Sequence, residues 1–165
     1  MRNWFSCKAS YEKMQEDGSQ KKVSEEYLVD ALSFTEAEAR IIYELSAMVR
    51  GEFQVTKIAK SRIAELHDYK DGDAWYLCKV AFIMYDEKSN KEKKSVSQML
   101  VMASDIQDAF QKIQMKMSGS MAEYTIPSIT ISNILDVFEY DPNLKLGLNL
   151  KPLSEIEQME NAEIQ

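Results

Sequence analysis

The chain has 165 residues, 45% of them hydrophobic and 28% charged, with a formal net charge of −7 and a pI near 4.9. That length suffices for one medium domain or two very small ones. The acidic balance argues against direct nucleic-acid binding, which needs Lys and Arg to neutralise phosphates, although it leaves room for a small local basic site. No apolar run reaches the roughly 18 residues of a membrane span. Met1-Arg2-Asn3-Trp4 lacks the apolar core of a signal peptide. The expectation is a cytoplasmic protein with no membrane partner.

The first element is a strand. Phe5, Cys7, Ala9 and Tyr11 alternate with Trp4, Ser6, Lys8 and Ser10, so the first set forms the core face and the second the opposite face. Asp17-Gly18 supplies a turn. A second strand follows from Lys22 to Ala31. Thr35 with Glu38 three residues on reads as a capping box, and Ala37, Ile41, Leu45 and Met48 form the buried stripe of a helix ending before Gly51. A long extended stretch from Phe53 to Tyr69 calls for a bend or bulge near Ala59 to Arg62.

Asp71-Gly72-Asp73 is a junction, after which the order repeats. Tyr76, Cys78, Val80, Phe82 and Met84 form the inward face of a strand. A charged hairpin spans Asp86 to Lys94, and another strand runs from Ser97 to Ala103. Asp105 caps a second helix carrying Ile106, Ala109, Ile113 and Met117, with Gly119 as its stop. Tyr124 to Tyr140 is extended, and Pro127 within it favours an edge or a bulge. Asp141-Pro142-Asn143 is a turn. Leu144, Leu146, Leu148 and Leu150 then alternate like a short strand, and Ser154 to Gln165 carries four Glu and no Lys or Arg, as in a mobile acidic tail.

The two halves correspond residue by residue. At an offset of 71, Trp4 matches Trp75, Cys7 Cys78, Lys8 Lys79, Ile58 Ile129, Ser61 Ser132, Ile63 Ile134, Glu65 Asp136, Asp68 Glu139 and Tyr69 Tyr140. At 72, Leu28-Val29 matches Leu100-Val101, Ala37 Ala109 and Ile41 Ile113. Shared periodicity explains the apolar matches but not Trp, Cys, Lys and Tyr together. The expected fold is α+β: a tandem duplication of a β-β-α-β unit, with two helices packed on largely antiparallel sheets about a pseudo-twofold axis. Residues 1–70 and 71–142 are the two repeats, together one compact domain, and 143–165 is the tail.

Catalytic signatures are missing. The one histidine, His67, aligns with Phe138, which suggests a structural place on a strand. The five glycines are not grouped into a phosphate loop. No metal or cofactor is implied, and nothing supports an enzyme. Cys7 and Cys78 read as core thiols. Symmetry supplies the site candidates. Trp4 with Lys8, and Trp75 with Lys79, share the face opposite the core and could stack on a planar ring while pairing with an anion. Glu65 with Tyr69, and Asp136 with Tyr140, form a second set, and the seam between the halves is a natural cleft. The alternative is packing: the tryptophans hold the halves together, and Lys8–Glu65 and Lys79–Asp136 are cross-strand ion pairs of a fraction of a kcal/mol.

Trp4-Phe5-Ser6-Cys7-Lys8, Gln20-Lys21-Lys22-Val23, the run from Tyr27 to Arg40, and Met99-Leu100-Val101-Met102-Ala103-Ser104-Asp105 resemble a family of small proteins of unknown function. That family occurs in gut-dwelling bacteria and in the phages and mobile elements they carry, and the resemblance spans Trp4 to Tyr140. It brings no activity or catalytic residues. By analogy, a mobile-element setting implies an accessory or antagonist protein.

The favoured expectation is a non-enzymatic protein that binds an unknown partner or a small ligand. Three alternatives stand beside it: a phage-type antagonist that sequesters a nucleotide signal in the seam, with Lys8 and Lys79 on its phosphate; an accessory to DNA metabolism acting through another protein by its acidic tail; and a small enzyme using Glu65 or Asp136. Exposed sheet edges also invite pairing with a second copy.

Overall fold

A computed structural model describes residues 2–144 and 146. Over these residues the chain is α+β, with two helices and two mixed four-stranded sheets. The elements are β1 (Asn3–Met14), β2 (Gln20–Ala31), α1 (Phe34–Met48), β3 (Phe53–Lys60), β4 (Ile63–His67), β5 (Ala74–Asp86), β6 (Lys91–Ala103), α2 (Ile106–Met117), β7 (Glu123–Ile131) and β8 (Ile134–Phe138). The order β-β-α-β-β therefore occurs twice. Among the described residues no helix is long and apolar enough to cross a membrane.

The sheets run β3-β1-β2-β8 and β4-β6-β5-β7. Each contains one strand from the other half. The stretch expected to bend near Ala59 to Arg62 does break, at Ser61-Arg62, and the matching stretch breaks at Ser132-Asn133, where no bend was expected, but the chain does not continue in its own sheet. β4 crosses to pair parallel with β6, and β8 crosses to pair parallel with β2. The other pairings are antiparallel, so the parallel edge in each sheet comes from the exchange.

The same device makes both crossings. Ser61 N–H donates to the Trp4 carbonyl at 2.8 Å, and Ser132 N–H to the Trp75 carbonyl at 2.8 Å. Each serine hydroxyl then accepts from the amide two residues on, Ile63 at 3.2 Å and Ile134 at 3.1 Å. This local turn satisfies backbone groups that leave one ladder before they join the next.

Strand alternation sorts the apolar side chains into layers. Phe5, Cys7, Ala9, Tyr27, Val29 and Ala31 meet Ala37, Ile41 and Leu45 of α1. Tyr76, Cys78, Val80, Met99 and Val101 meet Ala109, Ile113 and Met117 of α2 in the matching cluster. The opposite faces meet each other: Leu28, Leu100 and Trp75 are buried at the seam, flanked by Trp4, Ile63, Leu66, Met102, Ile134 and Val137. The layer order is helix, sheet, sheet, helix.

Some local details differ from expectation. α1 starts two residues earlier than the Thr35 box implies. Ser33 is the cap and accepts from Glu36 N–H at 3.1 Å, while the Glu36 carboxylate accepts from Leu32 N–H at 2.8 Å. Met48 and Ile106 fall outside the buried stripes, at 49% and 55% exposure. Asp105 does cap α2, accepting from Asp108 N–H at 2.7 Å. Pro127 lies on edge strand β7 and also at a bulge: Lys79 faces Ser128 and Ala81 faces Thr125, so Ile126 and Pro127 oppose Val80 alone. The Asp71-Gly72-Asp73 junction is tighter than a plain turn. A Cβ on Gly72 would sit 2.5 Å from the Ala103 nitrogen, so only glycine fits without backbone movement. The Asp141-Pro142-Asn143 turn is present, with Leu144 N–H donating to the Asp141 carbonyl at 3.2 Å. Apart from Asn143, Leu144 and Leu146, the leucine-alternating segment and acidic tail lie outside the described residues.

Candidate functional site

The eight candidate residues do not form one constellation. Trp4 and Trp75 lie in the seam, where Trp75 is only 5% exposed and Trp4 is half-buried. Lys8 and Lys79 share their strand faces, as alternation requires, but are exposed. Lys8 stands between Glu26 and Lys57, and Lys79 between Gln98 and Ser128. The ion pairs Lys8–Glu65 and Lys79–Asp136 do not form. Strand exchange puts Glu65 in the sheet of Lys79 and Asp136 in the sheet of Lys8. Glu65 instead lies 3.1 Å from His67 Nε2.

Tyr69 and Tyr140 each follow an exchanged strand and lie beneath a cation. The Arg2 guanidinium is 3.8 Å from the Tyr140 ring centroid, and Lys112 Nζ is 4.8 Å from that of Tyr69. Both cations are held by carboxylates. Arg2 reaches Asp30 at 3.1 Å and Glu36 at 2.6 Å. Lys112 reaches Asp71 at 2.9 Å and Asp108 at 3.0 Å. Burial pulls both cations' pKa values down, but the hydrogen bonds and charges of these carboxylates outweigh it and raise them. The tyrosines are thus docked where each exchanged strand ends, Tyr69 against the cluster under α2 and Tyr140 beside the start of α1.

One set does converge. At the mouth of the seam a cavity of about 500 Å³ lies between the ends of β4 and β8. Trp75, Leu66 and Val137 line it together with Asp68, Asp136 and Glu139. Two of these are sequence candidates, Trp75 and Asp136. Asp68 and Glu139 are not among the sequence candidates, although an acid at both equivalent positions is the signal for them. Leu66 and Val137 occupy another equivalent pair, so the mouth is built from matched positions on both exchanged strands. Glu65 does not line it, and neither do Lys8 or Lys79.

Other reactive groups lie elsewhere. Cys7 and Cys78 are free and fully buried in the two helix-facing cores. Burial pushes their thiols up to about 12 and about 11. Glu25 accepts from the hydroxyls of Tyr11 at 2.9 Å and Tyr27 at 2.6 Å, an arrangement with no equivalent at Ser97 in the second half. Among the described residues no group of three or more His, Cys, Asp or Glu could hold a metal ion.

Fold and site together define a small α+β protein of two strand-exchanged sheets with an acidic cleft at their seam. The chain belongs to the family described as a domain of unknown function (DUF4494), which matches residues 3–140. No curated protein and no solved structure matches the chain.

Proposed function

We propose that the chain is a non-enzymatic binding protein, a cytoplasmic accessory factor of a phage or mobile element, whose site is the mouth of the seam. The observation that supports this reading is that Asp68, Asp136, Glu139 and Trp75 line one cavity of about 500 Å³. A concave site with apolar walls and a few aimed polar groups is the usual form of a ligand pocket. Placement elsewhere supports binding over catalysis: the thiols are buried and protonated, and Glu65 is tied to His67 outside the cavity. The same carboxylates argue against a nucleotide phosphate in the seam, since a phosphate would meet like charge there and neither Lys8 nor Lys79.

Tryptophan fluorescence tests the site. In Trp4→Phe, Trp75 is the sole indole. Titration with a panel of small metabolites is expected to give a saturable change from Trp75, abolished by Leu135→Arg, which places a bulky cation at the cavity wall. A saturable change that survives Leu135→Arg unaltered would move the site elsewhere.

A further inference from the structure

We propose that a groove at the hairpin end of the first sheet binds a neutral saccharide. The groove shares no lining residue with the seam mouth, so the two sites stand or fall separately.

Strand lengths make the groove. β1 and β2 stay paired as far as Met14 and Gln20, while β3 begins only at Phe53, opposite Tyr11. Beyond Tyr11 the outer edge of β1 has no strand beside it among the described residues. The turn leaving α1 through Arg50, Gly51 and Glu52 borders this notch, and the space enclosed is about 810 Å³.

The second half acts as an internal control. Strand register makes Ser10 equivalent to Ala81, Tyr11 to Phe82, Glu12 to Ile83 and Gln54 to Thr125. The same sheet is built there without the two hydroxyls, the carboxylate or the amide, so packing does not require them in the first half. Ser10 shows this best. It is 7% exposed, where Ala81 is 4% exposed. A hydroxyl withdrawn from water costs free energy unless it is hydrogen-bonded, and the Ser10 hydroxyl bonds to no described residue. No enclosed side-chain oxygen lacks a partner, so this hydroxyl stays open to solvent. Tyr11, another lining residue, is held in place by its 2.9 Å bond to Glu25.

The lining names the ligand. Lys22 and Arg50 are matched in number by Glu12 and Glu52, and among the described residues none of the four is ion-paired. A ligand of one sign would be drawn to one pair and repelled by the other. The cations only donate hydrogen bonds and the carboxylates only accept them, while Ser10, Gln20 and Gln54 do both. A sugar hydroxyl also does both, so neighbouring hydroxyls on one ring can answer every group in this set without carrying charge. Half-buried Tyr11 and Phe53 supply apolar wall for the C–H face of the ring.

NMR of the isotopically labelled full chain tests the proposal. Backbone amide signals are followed during titration with maltotriose, cellotriose, mannotriose and tri-N-acetylchitotriose, and with two charged probes, trigalacturonic acid and zwitterionic trialanine. At least one neutral trisaccharide is expected to saturate below ~10 mM, to shift residues 10–12 and 52–54, and to bind at least about tenfold tighter than either charged probe. The matching monosaccharide distinguishes the source: equal affinity points to a free sugar, weaker affinity to a glycan chain. A Ser10→Ala, Glu12→Ile, Gln54→Thr variant carries the residues of the second half at these positions and is expected to lose about tenfold or more in affinity. Arg50→Ala, in the exposed turn after α1, is expected to weaken binding in the same direction. If a charged probe binds tightest, the saccharide class is wrong. Shifts confined to other residues, or affinity unchanged in both variants, would remove the groove as the site. No saturation by any neutral trisaccharide at ~10 mM overturns the proposal.

Discussion

Cys7 and Cys78 stand at matched positions on β1 and β5, each under its own helix, with pKa values pushed up to about 12 and about 11 from an ordinary 9.0. A thiol raised on folding supports the native state fully below its unfolded pKa and loses that support as pH rises through the folded value. Above pH 9 the unfolded thiols ionise first, so stability falls by up to ~1.4 kcal/mol per pH unit for each. Burial also raises Tyr27, which adds to the fall in the same direction. Denaturant titrations at pH 7, 9 and 10.5 should show it, and a thiol reagent should label neither cysteine before unfolding. Labelling of folded protein at pH 8 would contradict the burial. The core role of these cysteines was legible from alternation alone. The helix cap was not, because Ser33–Glu36 and Thr35–Glu38 are overlapping capping boxes. Ser33 prevails where Glu36 gains further partners, Leu32 N–H and Arg2, that lie far off or outside the helix in sequence.

β4 and β8 are short strands held at both ends. Serine turns start them, and a tyrosine under a cation follows them. If the clamp anchors the exchange, Arg2 and Tyr140 are energetically coupled. A double-mutant cycle with Arg2→Ala and Tyr140→Leu should give ~0.5–2 kcal/mol of coupling. Arg2→Ala alone should cost ~1–3 kcal/mol, since Glu36, only 6% exposed, loses its cation. Thermal unfolding of the four proteins measures both, and a coupling near zero would leave Tyr140 a bystander. The break after β3 was legible from the length of its stretch, and the one after β7 only through the match of Ser132 to Ser61. Its destination was not. A strand with one polar-turn break has the same side-chain pattern whether it continues in its own sheet or joins another, and only the partner strand decides which face is buried. That is why the sequence pattern pairs Glu65 and Asp136 with the wrong lysines, while it gives the faces of β1 and β5 correctly except at Met84, which is 55% exposed at the hairpin end.

At the scale of the molecule, each sheet borrows an edge from the other half and both press Leu28, Leu100 and Trp75 into one seam. The two halves should therefore unfold together. Leu28→Ala should cost ~2–5 kcal/mol, lowering the melting temperature by ~2–4 °C for each kcal/mol in a chain of this size. It should reduce hydrogen-exchange protection in β6 as much as in β2. Two resolved transitions, or loss of protection confined to β2, would show that the halves are independent.

The exchange also sets an order of events during synthesis. β2 is flanked by β1 as soon as the first half is made, but its other edge pairs with β8, and Tyr27 meets Asp136 only after nearly the whole matched region has been translated. Until then the buried row Tyr27, Leu28 and Val29 presents an open strand edge, the kind of surface that templates unwanted pairing. Of the two sheets, the first made in part is the last made whole. The growing chain is most exposed to misassembly while the ribosome still holds β8.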